Sequence, residues 1–89
     1  MECRWNDWNI EYIAEHGVSP EEAENVLGNA RRPFPRKIDN DKWLVWGRGI
    51  GGRPMQVIFV LDDDDVAFVI HARPLTDREK RRFRRGRKR

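Results

Sequence analysis

The sequence predicts a single α+β domain, with two helices first, an antiparallel β-sheet next and a short helix last. Apolar residues recur at helical spacing before residue 30 and alternate with polar residues from about residue 42 to 73, and a helix-start signature follows. A chain of 89 residues is long enough for one domain with one modest core. We place this domain at residues 1–85 and expect residues 86–89 to form a basic, disordered tail.

The first helix is predicted from about Trp8 to Glu15. Asn6 or Asp7 can provide its N-cap, and Gly17 can provide a left-handed stop after it. His16, next to that stop, is interpreted as a cationic side chain at the negative end of the helix dipole. The apolar stripe of this helix is expected to consist of Ile10, Ile13 and Ala14.

The second helix has the clearest start signal in the sequence. Ser19 and Glu22 have the spacing of a capping box, Pro20 occupies the first helical position, and Gly28 can end the helix. Only Gly17 and Val18 separate the first helix from this cap. We therefore predict a helical hairpin whose apolar stripes face one core.

A three-stranded antiparallel meander is predicted after residue 41. Turn residues at 49–52 and 62–65 separate the strands, and the middle run is apolar on both faces, which favours a central position. A short edge strand is also expected at about Phe34 to Ile38, and a weaker strand signal lies near Cys3. The three main strands are predicted at Lys42–Arg48, Met55–Leu61 and Val66–Arg73.

The last helix is predicted from a capping box formed by Thr76 and Glu79, with Phe83 as its apolar anchor. Residues 1–77 carry nine Lys or Arg against fourteen Asp or Glu, whereas residues 78–89 carry nine against one. The body is therefore acidic and its C-terminal end basic. This split suggests an anionic ligand on one side of the molecule only.

His71 and Arg73 are the most chemically suggestive residues. Strand alternation places them side by side on one face, together with Ala67 and Val69. Metal-independent RNA cleavage needs a group that takes the 2′-hydroxyl proton, a cation for the phosphorane charge and an acid for the leaving oxygen. Histidine moves protons near neutral pH, and arginine can bridge two phosphate oxygens. The same pair also occurs as an ordinary surface pair at strand ends.

Other charged residues are candidates for the same site. Arg48 and Arg53 flank the glycine-rich turn, which leaves room for a phosphate backbone, although both also suit a solvated hairpin. Glu79 is a candidate general base near Arg73, and the capping box gives it a structural role as well. Three bases of the last helix complete the predicted substrate-binding set: Arg78, Lys80 and Arg82.

Several classes of site are not expected. Cys3 is the only cysteine, so an internal disulfide and a Cys-based zinc site are excluded and a reducing, cytoplasmic location is predicted. Consecutive aspartates at 62–65 point apart in a turn and do not suggest a metal site. The longest apolar run is too short to cross a membrane. We expect no metal and no small-molecule cofactor.

Three groups of residues resemble a known family. They are Trp5 with the segment His-Gly-Val-Ser-Pro-Glu-Glu-Ala at 16–23, the pairs Gly47-Arg48 and Gly52-Arg53, and Ile70-His71-Ala72-Arg73 followed by Glu79 and Phe83. In these segments, which span most of its length, the chain is similar to the BrnT toxins, whose members share the RelE-like ribonuclease fold. Two positions depart from the family pattern, because His71 replaces a usual Ser and Phe83 a common Tyr.

The resemblance implies a toxin of a type II toxin–antitoxin pair, a metal-independent endoribonuclease that inhibits translation and growth. Its implied partners are RNA, either free or on the ribosome, and a cognate antitoxin that neutralises it in a hetero-oligomer. Two alternatives remain open. The basic end of the sheet can hold RNA or DNA without cutting it, or the helical hairpin can act through protein contacts alone.

Overall fold

The computed structural model of the chain describes residues 1–86. Within them the fold is α+β, with three helices and one five-stranded sheet. In chain order the elements are β1 (Cys3–Arg4), α1 (Asp7–Ala14), α2 (Pro20–Gly28), β2 (Arg36–Lys37), β3 (Lys42–Arg48), a 3-10 turn (Ile50–Gly52), β4 (Pro54–Leu61), β5 (Ala67–Pro74) and α3 (Asp77–Gly86).

The sheet is mixed, which corrects the prediction of a purely antiparallel meander. Its strand order is β1-β5-β4-β3-β2, and β3, β4 and β5 form the predicted meander with β4 at the centre. The short β2 is antiparallel to β3 at one edge, as expected for the segment near residue 36. β1 pairs in parallel with β5 at the other edge, which the long intervening chain permits and a short hairpin connection does not.

An irregularity in β5 changes which residues share a face. Phe59 pairs with Val69 but Ile58 pairs with His71, so Ile70 is an extra residue in β5. A bulge of this kind reverses the alternation beyond it. His71 and Arg73 share a face as predicted, but it is opposite the face of Ala67 and Val69, where the sequence placed them.

The core lies between the two N-terminal helices and one face of the sheet. α1 packs against β5, and α2 packs against β3, β4 and the 3-10 turn, so each helix contacts the sheet more extensively than it contacts the other. This helix-covered face carries the buried residues of the meander. The principal core residues are Ile13, Val18, Ala23, Val26, Leu27, Val45, Met55, Val57, Phe59, Ala67, Val69 and Ala72.

α1 buries a different stripe from the predicted one. Asn6 caps the helix and forms a capping box with Asn9. Asn9 is fully buried, and its side-chain amide donates to the carbonyl oxygens of Arg4 and Val69. Ile13 is buried as expected, but Ile10 is exposed. A polar residue can occupy the core here because its hydrogen-bonding groups are satisfied.

The N-termini of α2 and α3 both follow the predicted signature but differ in detail. The Ser19 hydroxyl accepts a hydrogen bond from the Glu22 amide, and the Glu22 side chain pairs elsewhere. At α3 the box is complete, because Thr76 accepts from the Glu79 amide and Glu79 accepts from the Thr76 amide. Gly17 has a φ of 73°, the left-handed conformation that was predicted for it.

The C-terminal boundary is only partly described. Gly86, predicted as the first tail residue, is the last residue of α3, while residues 87–89 of the predicted tail lie outside the described part of the chain. No helix within residues 1–86 is long and apolar enough to cross a bilayer.

Candidate functional site

Arg73 and Glu79 form the centre of the candidate site. Arg73 lies near the end of β5 and Glu79 in the first turn of α3. The Arg73 Nη1 and Nη2 atoms donate to the two carboxylate oxygens of Glu79 at 2.8 and 2.9 Å, and Nη1 also donates to the Pro74 carbonyl at 3.0 Å. This two-pronged pair fixes the guanidinium at the junction of β5 and α3.

Glu79 is a poor candidate for the general base. Hydrogen bonds from Arg73, followed by those from Thr76, lower its carboxyl pKa from 4.5 to about 2, despite the opposing effect of burial. A carboxylate of that acidity holds a proton too weakly to remove one from a hydroxyl near neutral pH. The geometry gives Glu79 two other roles, as the cap of α3 and as the group that orients Arg73.

His71 lies two residues before Arg73 on the same face. Its β4 partner is Ile58, and the next row on that face contains Arg73, Gln56 and Trp46. The imidazole is half-buried, and its pKa is lowered mainly by burial and then by the positive charges of Arg73 and His16. His71 is therefore favoured as a neutral imidazole near neutral pH, the form that accepts a proton.

His16 is the main residue that the sequence interpretation assigned to another role. Its ring lies 5.8 Å from the His71 ring and 6.4 Å from the Tyr12 ring, measured between centroids. Within residues 1–86 its side chain forms no hydrogen bond to the last carbonyls of α1, so the interpretation as a helix cap finds no support. The position of His16 beside a helix stop gave no sequence signal for its contact with β5.

Arg48 and Arg82 each lie over one ring of an aromatic pair that includes Trp46 of this row. The Trp46 and Phe83 rings contact edge-on at 6.4 Å. The Arg48 guanidinium lies 5.7 Å from the Phe83 centroid, and that of Arg82 lies 5.7 Å from the Trp46 centroid. Trp46 also donates its indole N–H to Gln56 at 3.0 Å. These stacked guanidiniums hold positive charge close to the face that carries Arg73.

Arg53 has a well-defined structural contact outside this cluster. Its Nη2 and Nε donate to the Glu22 carboxylate at 2.6 and 3.2 Å, and Nη2 donates to the Gly17 carbonyl at 3.3 Å. Glu22 is almost fully buried against Gly49, where an added Cβ would lie 2.7 Å from the carboxylate. Arg53 thus ties the start of α2 to the β3–β4 connection.

The remaining predicted cations lie on α3, and one further cation lies near the end of α2. Arg78 is exposed, and Lys80 forms an ion pair with Asp77 at 3.8 Å. Arg31, which the sequence interpretation did not select, lines an open pocket of about 320 Å³ together with Arg48 and residues 28–30. Its position in an irregular segment gave no indication that it would lie near Arg48.

An aromatic ladder along α1 was also missed. Trp8 stacks against Tyr12 at 5.3 Å and against Phe68 of β5 at 6.1 Å, and the contacts continue from Tyr12 to His16. Trp8 and Tyr12 are exposed. The ladder lines the β5 side of the molecule and leads to the His16–His71 contact. Its helical spacing of four residues was present in the sequence.

The described residues contain no cluster of three or more His, Cys, Asp or Glu that could hold a metal ion. The groups that the site offers for chemistry are the His71 imidazole, the Arg73 guanidinium and the Glu79 carboxylate. Comparisons with protein-family models, with curated proteins and with solved structures found no match to this chain.

Proposed function

We propose that the protein is a metal-independent endoribonuclease. The observation that carries the proposal is the grouping of Arg73, held by Glu79, with the half-buried imidazole of His71 on one sheet face. A cation and a proton acceptor are the two groups that attack of a 2′-hydroxyl on its neighbouring phosphate requires.

Arg73 is assigned to the phosphorane charge. Its hydrogen bonds to Glu79 and Pro74 use three of its five N–H groups, so two N–H groups have no partner among residues 1–86. A phosphate can therefore bind the outer side of the guanidinium without displacing Glu79. A fixed donor is more effective than a mobile one because it needs no reorganisation during the reaction.

The surrounding cations are assigned to the RNA backbone. Arg48 and Arg82 lie over the Trp46–Phe83 pair, and Arg78 and Lys80 extend the positive surface along α3. Arg53 belongs to the predicted set, but its bond to Glu22 makes fold stability its first role. Binding through phosphate contacts should weaken steeply with added salt.

The biological assignment follows from the resemblance to the BrnT toxins. On this proposal the domain has a RelE-like fold, with α1 and α2 arranged as a helical hairpin, and acts in the cytoplasm. It inhibits translation by cutting RNA, free or ribosome-bound, and a cognate antitoxin protein neutralises it. The acidic surface of α1 and α2 suits a contact that does not compete with RNA for the basic end of the molecule.

A second candidate is a module that binds RNA or DNA without cutting it. The tight pairing of Arg73 with Glu79 favours this reading, because the guanidinium is already neutralised by a carboxylate whose pKa is about 2. Such a module would show salt-dependent binding that is indifferent to the protonation state of His71.

The deciding experiment is incubation of the purified protein with free RNA in the presence of a metal chelator and, separately, with ribosome-bound RNA without the chelator, because ribosomes need Mg²⁺ to stay assembled. We expect cleavage by the wild type and a loss on the order of 10²-fold in Arg73→Ala, the scale for removal of one transition-state donor. Expression without a partner should slow growth, and Arg73→Ala should relieve the effect. If the protein binds RNA but cleaves it under none of these conditions, and its expression leaves growth normal, the binding module is the correct function.

A further inference from the structure

We propose that His16 and His71 form a two-imidazole proton-transfer pair, in which His71 takes the 2′-hydroxyl proton and His16 supplies the proton to the 5′-oxygen that leaves. This inference rests on the proposed ribonuclease function and adds a catalytic residue from a different element. It is based on the contact between the end of α1 and β5, where the two rings lie 5.8 Å apart.

The separation of the rings suits two proton transfers at one phosphate. A proton-transfer group must lie about 2.6–3.2 Å from the oxygen it serves. Two imidazoles with centroids 5.8 Å apart can therefore each reach a different oxygen of the same phosphodiester. Arg73, two residues from His71 on the same strand face, lies beside them as the charge-stabilising donor.

The surroundings of the two histidines decide which one accepts a proton and which one donates it. His71 is half-buried, and the groups that act on its pKa are Arg73 on its own strand and His16 from α1. His16 is exposed, with Tyr12 edge-on to it, Glu15 beside it in sequence, and Arg53 bonded to the carbonyl of Gly17. Water solvates a charge on His16 more easily than on the half-buried His71, which favours His16 for the donor role and His71 for the acceptor role.

The reaction balances with one proton accepted and one donated. The bond from the 2′-oxygen to phosphorus forms, and the bond from phosphorus to the 5′-oxygen breaks, which gives a 2′,3′-cyclic phosphate and a 5′-hydroxyl. His71 ends protonated and His16 ends neutral, and exchange with water restores the starting state. No metal, oxidant or cofactor enters the step.

The helical ladder explains how His16 is held in place. Tyr12 contacts His16 edge-on, and Trp8 stacks on Tyr12. The ladder contacts β5 at both ends, through Trp8 on Phe68 and His16 on His71. Gly17 follows His16 in the left-handed conformation, within the turn that comes after α1. His16 can therefore be positioned without any hydrogen bond to the backbone of α1.

The test compares two substrates and three variants. The substrates are RNA, whose 5′-oxygen needs a proton to leave, and uridine 3′-(4-nitrophenyl phosphate), whose leaving group departs without one. We expect His16→Gln to cleave RNA about 10²–10⁴-fold more slowly than wild type and to lose the fall in rate at alkaline pH. Its rate on the activated ester should stay near that of wild type. His71→Gln should cleave both substrates slowly and should lose the fall in rate at acidic pH. Glu11→Gln, at an exposed position of α1 that takes no part in the pair or the ladder, should match wild type.

An NMR titration of the imidazole protons tests the contact without any substrate. His16→Gln removes one of the positive charges that lower the pKa of His71, so the His71 midpoint should rise. Either an unchanged midpoint or equal loss by His16→Gln on both substrates would overturn the pair. Wild-type-like RNA cleavage by His16→Gln beside an inactive Arg73→Ala would reject the pair but leave the ribonuclease function intact. If the wild type cleaves neither substrate, the function and the pair fail together.

Discussion

The N-termini of α2 and α3 carry the same sequence signature but use it differently. Each has a hydroxyl cap followed three residues later by a glutamate, and each glutamate pairs with an arginine from a strand or its flank. Glu79 reaches back to the Thr76 amide and holds Arg73 at the same time. The Glu22 side chain does not complete the capping box and accepts hydrogen bonds from Arg53 instead.

The difference shows how burial separates a structural ion pair from a candidate catalytic one. The Glu22 side chain is 9% exposed, whereas that of Glu79 is 20% exposed and its partner Arg73 lies on the face that carries His71. Removing the partner of a deeply buried carboxylate costs more stability than removing the partner of a less buried one. Substitution of Arg73 should therefore reduce mainly the cleavage rate, and substitution of Arg53 should reduce mainly the free energy of unfolding.

The largest expected effect is the loss of cleavage in Arg73→Ala. On the order of 10²-fold or more should disappear from the rate, and Arg73→Lys should recover only part, because a point charge cannot reproduce the guanidinium fork. Single-turnover cleavage of RNA measures this directly, with melting curves to show that the variants fold. Full activity of Arg73→Lys would indicate that charge alone suffices and that the paired geometry with Glu79 is unimportant.

The next effect is on stability and concerns Arg53→Ala. It leaves the Glu22 carboxylate buried without its partner, and we expect a loss of roughly 1–3 kcal/mol in the free energy of unfolding. Arg53→Ala combined with Glu22→Gln should regain part of that loss, because a neutral amide costs less to bury. Urea unfolding of the single and double variants measures the coupling. Additive losses would mean that the pair does not hold α2 to the β3–β4 connection.

Signals contained in a few consecutive residues predicted the local structure well. The caps at Asn6, Ser19 and Thr76, the left-handed Gly17 and the turns of the meander depend on neighbouring residues alone. The bulge at Ile70 was not predictable, because Phe68, Val69 and Ile70 are all apolar and fit either register. The parallel pairing of β1 depends on where α1 returns the chain, which no local pattern encodes.

For the candidate site too, the contacts between residues close in sequence were predicted and the long-range contact was not. Arg73, Glu79 and His71 are close in sequence, and strand alternation together with the capping box was enough to bring them together. The contact of His16 with His71 joins α1 to β5 and depends on the packing of Ile13 and Asn9 against the sheet. The helical pattern suggested Ile10 and Ala14 beside Ile13, and both are exposed, so the direction of the His16 ring could not be deduced.

A third effect is the dependence of stability on pH, which should differ between the two helix starts. Since the pKa of Glu79 is lowered from 4.5 to about 2, its contribution is fully present above pH 4.5 and is lost as the pH falls toward 2. Wild type should therefore be more stable than Glu79→Gln at neutral pH, with the difference shrinking across that window in acid melts. Glu21→Gln, at an exposed position in the first turn of α2, is the matched control and should show no such convergence.

The smallest expected effect concerns a third Arg–carboxylate pair that extends the comparison toward the surface. Arg4 donates from Nε and Nη2 to one oxygen of Asp62, whose side chain is 29% exposed, and Arg4 itself is 53% exposed. The other Asp62 oxygen accepts from the Asp64 and Val66 amides and maintains the turn without Arg4. Arg4→Ala should therefore destabilise the protein less than Arg53→Ala does, and added salt should reduce the effect further. Asp62→Ala should cost more, because it removes the turn bonds as well. If urea unfolding shows Arg4→Ala to be as damaging as Arg53→Ala, burial of the carboxylate is not what ranks these three pairs.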